Sequence, residues 1–309
     1  MSQVHLYIFN FSMSSFLKKL SNFLLLFILL WIVQVALVIL IKGLMPKNIA
    51  LSHKNKSLME KRIFILGNSH VECAINDSLL PSKFVNLAKS GEPVFYSALK
   101  AQRIINSNVV DTIVMEFDNT SLTSIAWVLD DSRLLAHFKE NFFSMNWEQF
   151  QFLLQNNPQK TIKSFLVLNL TSIFNSTNLE GGYLYLDKNR LSNPTAKKDA
   201  NSYYPNVYSD SLQLKNFDAL YNLIKANKRI PFIITRMPMH QFVSRPNDSS
   251  YFNLVAKLLA LENVTYLDFH KKVIFPDSYF ADSTHLNYKG ANMFTPLFQK
   301  NIGVVHSTP

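Results

Sequence analysis

Five short apolar runs, separated by longer helix-like stretches, decide what this chain can fold into. They are RIFILG at 62–67, FVNLA at 84–88, DTIVMEF at 111–117, PFIITR at 231–236 and VTYLDF at 264–269. Each is short and almost continuously apolar, as a strand buried on both faces should be. The third is rich in β-branched residues. The fourth opens on its proline, the one position where a strand tolerates it. Helical stretches fit at 96–106, 217–227 and 251–262, ahead of the third, fourth and fifth runs. Alternating strands and helices build βαβ units, so the expected fold class is α/β with a mainly parallel five-stranded sheet covered on both faces. Such sheets bind ligands outside the carboxyl ends of their strands. That edge is where chemistry should lie.

The spacing is uneven. About 110 residues separate the third and fourth runs, far more than one crossover helix needs. An insertion at about 120–215, holding Trp127, Trp147, many Phe and the Gly181-Gly182-Tyr183 turn, is expected to form a helical cap beside the active edge. The C-terminal helix expected over 288–300 contains Pro296, which should kink it or cap a new turn.

Ahead of the first strand lies FLLLFILLWIVQVALVILI, residues 23–41, nineteen uncharged positions with Gln34 the clearly polar one. At ~1.5 Å per residue this run is about 28 Å long, close to the thickness of a bilayer core. A buried core helix would show a polar face, and a cleaved signal peptide would be shorter and end on small residues. The run leads instead into Leu40-Ile41-Lys42-Gly43, so an uncleaved single-pass anchor is expected, after an N-terminal segment 1–22 and before a linker 42–60.

That anchor also accounts for the charge. The 309 residues carry 31 Lys+Arg against 21 Asp+Glu, a formal +10. Residues 1–59 hold six lysines and no acid, leaving only +4 for the remainder, which gives no case for nucleic acid. Lysines flanking the run suit anionic headgroups. More of them follow it than precede it, which places the following domain in the cytoplasm if the positive-inside rule is applied alone. The rule weakens for a long following domain. A lone cysteine, Cys73, excludes an internal disulfide scaffold or a Cys-rich zinc module; it reads as a small packing residue.

Two short motifs carry chemistry. Gly67-Asn68-Ser69-His70 follows the first strand, and Asp282-Ser283-Thr284-His285 follows the fifth. A serine on a strand-to-helix turn sits at the carboxyl edge. An Asp and a His three residues apart can share a tight loop, the carboxylate holding the ring through Nδ1–H while Nε2 faces a nucleophile. Both segments at one sheet edge would make a Ser-His-Asp acyl-transfer site. His240, in the loop after the fourth strand, and His70 are candidate substrate contacts. Glu116 and Asp118 could imitate a glycosidase carboxylate pair, but they share a face only if the third strand continues past Glu116. Asp268 and His270 lack a third ligand. There is no H-E-x-x-H, Walker loop or G-x-G-x-x-G, and neither metal nor cofactor is expected.

On these residues the sequence resembles the SGNH hydrolases, the GDSL-like esterase and lipase family, over about 61–302 apart from the insertion. The family's first block, usually Gly-Asp-Ser, matches Gly67-Asn68-Ser69 and implies Ser69 as nucleophile. Its second matches Asn86 to Gly91, with Gly91 the implied oxyanion-hole glycine. Its third, a Gly-x-Asn-Asp setting, corresponds to Glu116-Phe117-Asp118-Asn119, with Asn119 the counterpart and Phe117 in place of glycine. Its last, Asp-x-x-His, matches Asp282 and His285. The resemblance implies a flavodoxin-like α/β/α sandwich and an oxyanion hole from Ser69, Gly91 and Asn119.

His70 after the serine, together with the anchor, is similar in architecture to membrane-anchored SGNH-like proteins that move acyl groups onto envelope polymers. The expected function is an O-acylesterase or O-acyltransferase on a cell-envelope glycan or polymer, with the domain external and, for a transferase, a membrane-embedded acyl-donor partner. The alternative is a catalytically degenerate domain that binds a glycan or a partner.

Overall fold

The computed structural model describes residues 13–44, 60–118, 132–166, 179, 181–188, 211–241, 243 and 249–307. The chain divides into two compact units, Met1–Lys47 and Asn48–Pro309.

The described residues of the first unit form one helix, α1 (Met13–Leu44). Its stretch Ser15–Leu37 spans 23 residues at a mean hydropathy of 2.4, long and apolar enough to cross a membrane. Phe23, Leu26, Ile28 and Trp31 are all exposed around it, so no single apolar stripe exists. The helix starts ten residues before the expected run. Nothing in MSSFLKKLSN interrupts it, and adding a residue to an existing helix is far easier than starting one. Most of the expected linker, 45–59, lies outside the described residues.

The second unit holds the five expected strands: β1 (Ile63–Leu66), β2 (Phe84–Asn86), β3 (Thr112–Glu116), β4 (Phe232–Arg236) and β5 (Val264–Asp268). They form one sheet in the order β2-β1-β3-β4-β5, every pairing parallel. This is the flavodoxin-like order, whose switch point lies between β1 and β3.

Alternation along the strands explains both faces. Phe64, Leu66, Ile113, Met115, Phe232 and Ile234 pack into one core with α3 (Val94–Ser107), α7 (Ser211–Ala226) and α8 (Ser249–Leu259). Ile63, Ile65, Val114 and Ile233 face the other way, toward α2 (Ser69–Ala74) and the C-terminal helix. Helices α3, α7 and α8 start earlier than the sequence pattern suggested. For α3 the physical stop is Pro93 at its N-cap, since proline is welcome only at a helix start.

In the insertion the described residues form α4 (Ser132–Asn141), α5 (Trp147–Asn156) and α6 (Pro158–Leu166). They share an aromatic cluster in which Phe142 meets Phe138, Phe150 and Phe165. The expected Gly181-Gly182-Tyr183 turn is instead the start of an extended strap, 181–188. Gly182 N–H donates to Ala88 C=O, Leu184 N–H to Glu72 C=O, and Leu186 C=O accepts from Tyr288 N–H. The strap ties the end of β2, helix α2 and the start of the last helix together. Trp127 lies outside the described residues.

A short helix α9 (Phe269–Lys272) follows β5, and α10 (Tyr288–Ser307) closes the domain. Pro296 does not end α10. Both Pro296 and Asn292, whose carbonyl loses its helical donor, are on the exposed face, where water can replace that donor. On the inner face Phe294 is fully buried, its ring 5.0 Å from Phe269 and 6.0 Å from Phe298. Phe294→Ala should cost about 3–5 kcal/mol of stability, read as a lowered urea midpoint with an unchanged slope.

Candidate active site

Ser69 opens α2 immediately beyond the carboxyl end of β1. The turn into it is fixed locally. Asn68 caps the helix, its Oδ1 accepting from His70 N–H at 2.9 Å. An aspartate would offer the same acceptor. Gly67 has to be glycine for space: a Cβ there would lie 2.6 Å from Val71 Cγ2 and 2.8 Å from Glu116 Cβ and Oε2.

Asp282 and His285 occupy the loop between β5 and α10. Asp282 Oδ1 accepts from the backbone N–H of Thr284 and of His285, each at 2.9 Å. Both its carboxylate oxygens lie 2.9 Å from His285 Nδ1. Thr284 Oγ1 adds a bond to Oδ1 at 3.1 Å. On the other side of the ring, His285 Nε2 is 2.8 Å from Ser69 Oγ. The structure thus brings together two segments 216 positions apart. Burial raises the Asp282 carboxyl, but the His285 hydrogen bond and charge and the two backbone N–H groups outweigh it, holding the group well below the usual carboxylate range. It is ionised at neutral pH.

Gly91 lies in the loop after β2 with φ 69°, a left-handed conformation that favours glycine. That loop is held from three sides. Lys89 N–H donates to Gly67 C=O at 3.0 Å. Lys89 Nζ pairs with Glu140 of α4 at 3.0 Å. Ser90 Oγ donates to Glu72 of α2. Asn119 lies outside the described residues.

The two histidines expected to contact substrate are both buried. His70 is buried, and its Nδ1 lies 3.0 Å from Glu116 Oε1 and 3.4 Å from Asp118 Oδ2. Burial favours the neutral ring, yet the two carboxylates outweigh it and push its pKa up to about 10. His240 is also buried: its ring bonds Asp277 at 2.9 Å and its backbone N–H donates to Ser283 C=O at 3.0 Å. That backbone bond ties it to the Asp282–His285 loop.

Sequence reasoning missed the joint surroundings of Glu116 and Asp118. They do share a face, because Phe117 N–H still donates to Thr235 C=O at 3.0 Å and carries the ladder one residue past β3. The available signal was an acid closing a strand otherwise buried throughout. Together with His70 they are the one group of possible metal-ligating side chains found among the described residues, with donor atoms within 4.8 Å of one another. Cys73 is buried one turn beyond Ser69, and burial raises its thiol strongly. It packs and does not ionise.

A family model matches residues 173–306, the part that holds β4, β5 and the Asp282–His285 loop. No curated protein matches the chain. Among solved structures the chain is similar to an inferred acylhydrolase from Bacteroides fragilis, at 13% identity and TM-score 0.36, covering 85% of this chain and 93% of that one. It is similar also to an inferred platelet activating factor from Streptococcus pneumoniae, at 12% identity and TM-score 0.42, covering 94% and 100%. A GDSL-like lipase from Bacteroides thetaiotaomicron is a third structural neighbour, at 12% identity and TM-score 0.35, covering 83% and 93%.

Proposed function

We propose that this chain is a membrane-anchored serine O-acylesterase or O-acyltransferase that acts on a cell-envelope glycan or polymer. The observation that carries the reading is the unbroken hydrogen-bond chain from Ser69 Oγ through His285 to Asp282, each link between 2.8 and 2.9 Å. Near 3 Å is the reach a general base needs to take a nucleophile's proton.

In the proposed reaction Ser69 Oγ attacks the ester carbonyl while His285 Nε2 takes its proton. Asp282 holds the ring with Nδ1–H toward itself, leaving Nε2 free to accept, and stabilises the imidazolium that forms. The tetrahedral oxyanion is met by the Ser69 backbone N–H and by Gly91 N–H, with Asn119 proposed as a third donor. Each such donor contributes about 10²–10³ in rate. Collapse expels the alcohol, which regains the proton from His285 and leaves an acyl-Ser69. Water then releases a carboxylic acid, or a sugar hydroxyl takes the acyl group. Both outcomes use the same residues.

The glycan or polymer substrate, the external domain and the acyl-donor partner of a transferase rest on the resemblance and on the apolar helix α1. The decisive experiment is labelling of the purified full chain with a fluorophosphonate probe. Stoichiometric attachment to Ser69, blocked by prior incubation with an acyl ester, is the expected result. A folded protein that takes no label would turn the assignment to the binding-module alternative.

A further inference from the structure

The Ser69 turn is gripped by a side chain the proposed reaction does not use. Glu116 closes β3, the central strand beside β1, and is buried. Its Oε2 accepts from Asn68 N–H at 3.0 Å, and its Oε1 lies 3.0 Å from His70 Nδ1. One carboxylate therefore holds the residues on both sides of Ser69. Asp118 Oδ2 stands 3.4 Å from the same His70 nitrogen, and the His70 ring centroid lies 5.2 Å from that of His285.

The backbone donors of the turn divide accordingly. Of three successive N–H groups, that of Asn68 is taken by Glu116 and that of His70 by the Asn68 side chain. The Ser69 N–H between them has no partner among the described residues. It is left for a ligand oxygen.

We propose that Glu116 is a positioning residue: with His70 it clamps the turn from both sides, fixing where Ser69 Oγ points and reserving the Ser69 N–H for the oxyanion. The clamp rests on the reading of Ser69 as nucleophile. Gly67 belongs to the same device, since any side chain there would strike Glu116. Both carboxylate oxygens act as acceptors. Glu116→Gln keeps the volume but replaces one acceptor with an NH₂ donor, which must face either the Asn68 N–H or the His70 ring. Facing Asn68 it loses that bond; facing the ring it forces His70 Nδ1 to accept and so turns a lone pair toward Asp118 Oδ2, so one side of the grip is weakened while the fold around it remains filled.

The test uses the full chain in detergent, p-nitrophenyl acetate as substrate, and rates normalised to sites titrated with a fluorophosphonate. Glu116→Gln should lower kcat per titrated site by about 10²-fold, the scale of a misplacement near 1 Å, with KM changed by less than about twofold. His70→Asn, which leaves the grip on Asn68, should lower kcat by a smaller factor. Normalising to titrated sites separates positioning from stability, because a purely structural role would reduce the number of sites and not the rate at each. A Glu116→Gln protein with wild-type kcat per site overturns the clamp. If that variant does not fold, unchanged kcat in His70→Asn overturns it. Ser69→Ala run alongside tells the two ideas apart: residual turnover there refutes the nucleophile, whereas a dead Ser69→Ala beside a fully active Glu116→Gln refutes the clamp alone.

Discussion

Ser69→Ala abolishes turnover of p-nitrophenyl acetate: the expected fall in kcat is on the order of 10⁶, to the background of the oxyanion donors. The size follows from what is removed. In the proposed mechanism the hydroxyl oxygen is the attacking atom, so no rearrangement of the remaining groups replaces it. Structurally the loss is slight. Ser69 Oγ makes one bond to His285, while the Asp282–His285 loop keeps its own bonds and α2 keeps its Asn68 cap. The melting temperature should stay within about 2 °C, the shift of a surface change of a few tenths of a kcal/mol. A dead variant with a native melt supports the mechanism; a live one ends it.

Asp282→Asn should cost about 10⁴ in kcat, because it reverses the tautomer. The native carboxylate is an acceptor only, toward two backbone N–H groups, the Thr284 hydroxyl and His285 Nδ1. The backbone bonds converge on Oδ1. An amide therefore keeps its oxygen there and turns its NH₂ toward the ring. Nδ1 must then accept, the proton moves to Nε2, and Nε2–H faces Ser69 Oγ unable to take its proton. The prediction is checked by kinetics beside proton spectroscopy of the ring. A variant with more than about a tenth of wild-type kcat would mean that Asp282 does not set the tautomer. The same carboxyl is already held far below its ordinary range, so its titration should not shape activity across neutral pH.

How much of this could be read beforehand follows from where each residue gets its constraints. The inner strands were legible because Ile63, Phe64, Ile65 and Leu66, like their counterparts in β3 and β4, are buried on both faces and so leave a nearly continuous apolar record, whereas the edge strand β5, half-buried along its length, was legible from its alternating pattern and its place after a helical stretch. The two motifs that the structure brings together, Gly67–His70 and Asp282–His285, were legible as motifs, since strand-end turns and an i,i+3 spacing are local. The surroundings of His70 and His240 were not. His70 sits in the first turn of α2 and His240 in the loop after β4, and the direction of each ring is set by an acid distant in sequence, Glu116 in one case and Asp277 in the other. The strap at 181–188 was illegible for a different reason. It has neither a helical nor a strand period, and it is held by single backbone bonds to three separate elements. The insertion's helices were legible only as helical character.

The Ser69–His285 bond also sets an order in time. Its partners stand 216 positions apart, with the acceptor loop just ahead of the last helix. During synthesis α1, β1, β2 and β3 leave the ribosome long before residues 282–285 exist, since chains grow at about 5–20 residues per second. A nascent chain therefore carries the proposed nucleophile before its proposed base exists, and the apolar helix can reach a bilayer before that hydrogen bond can form.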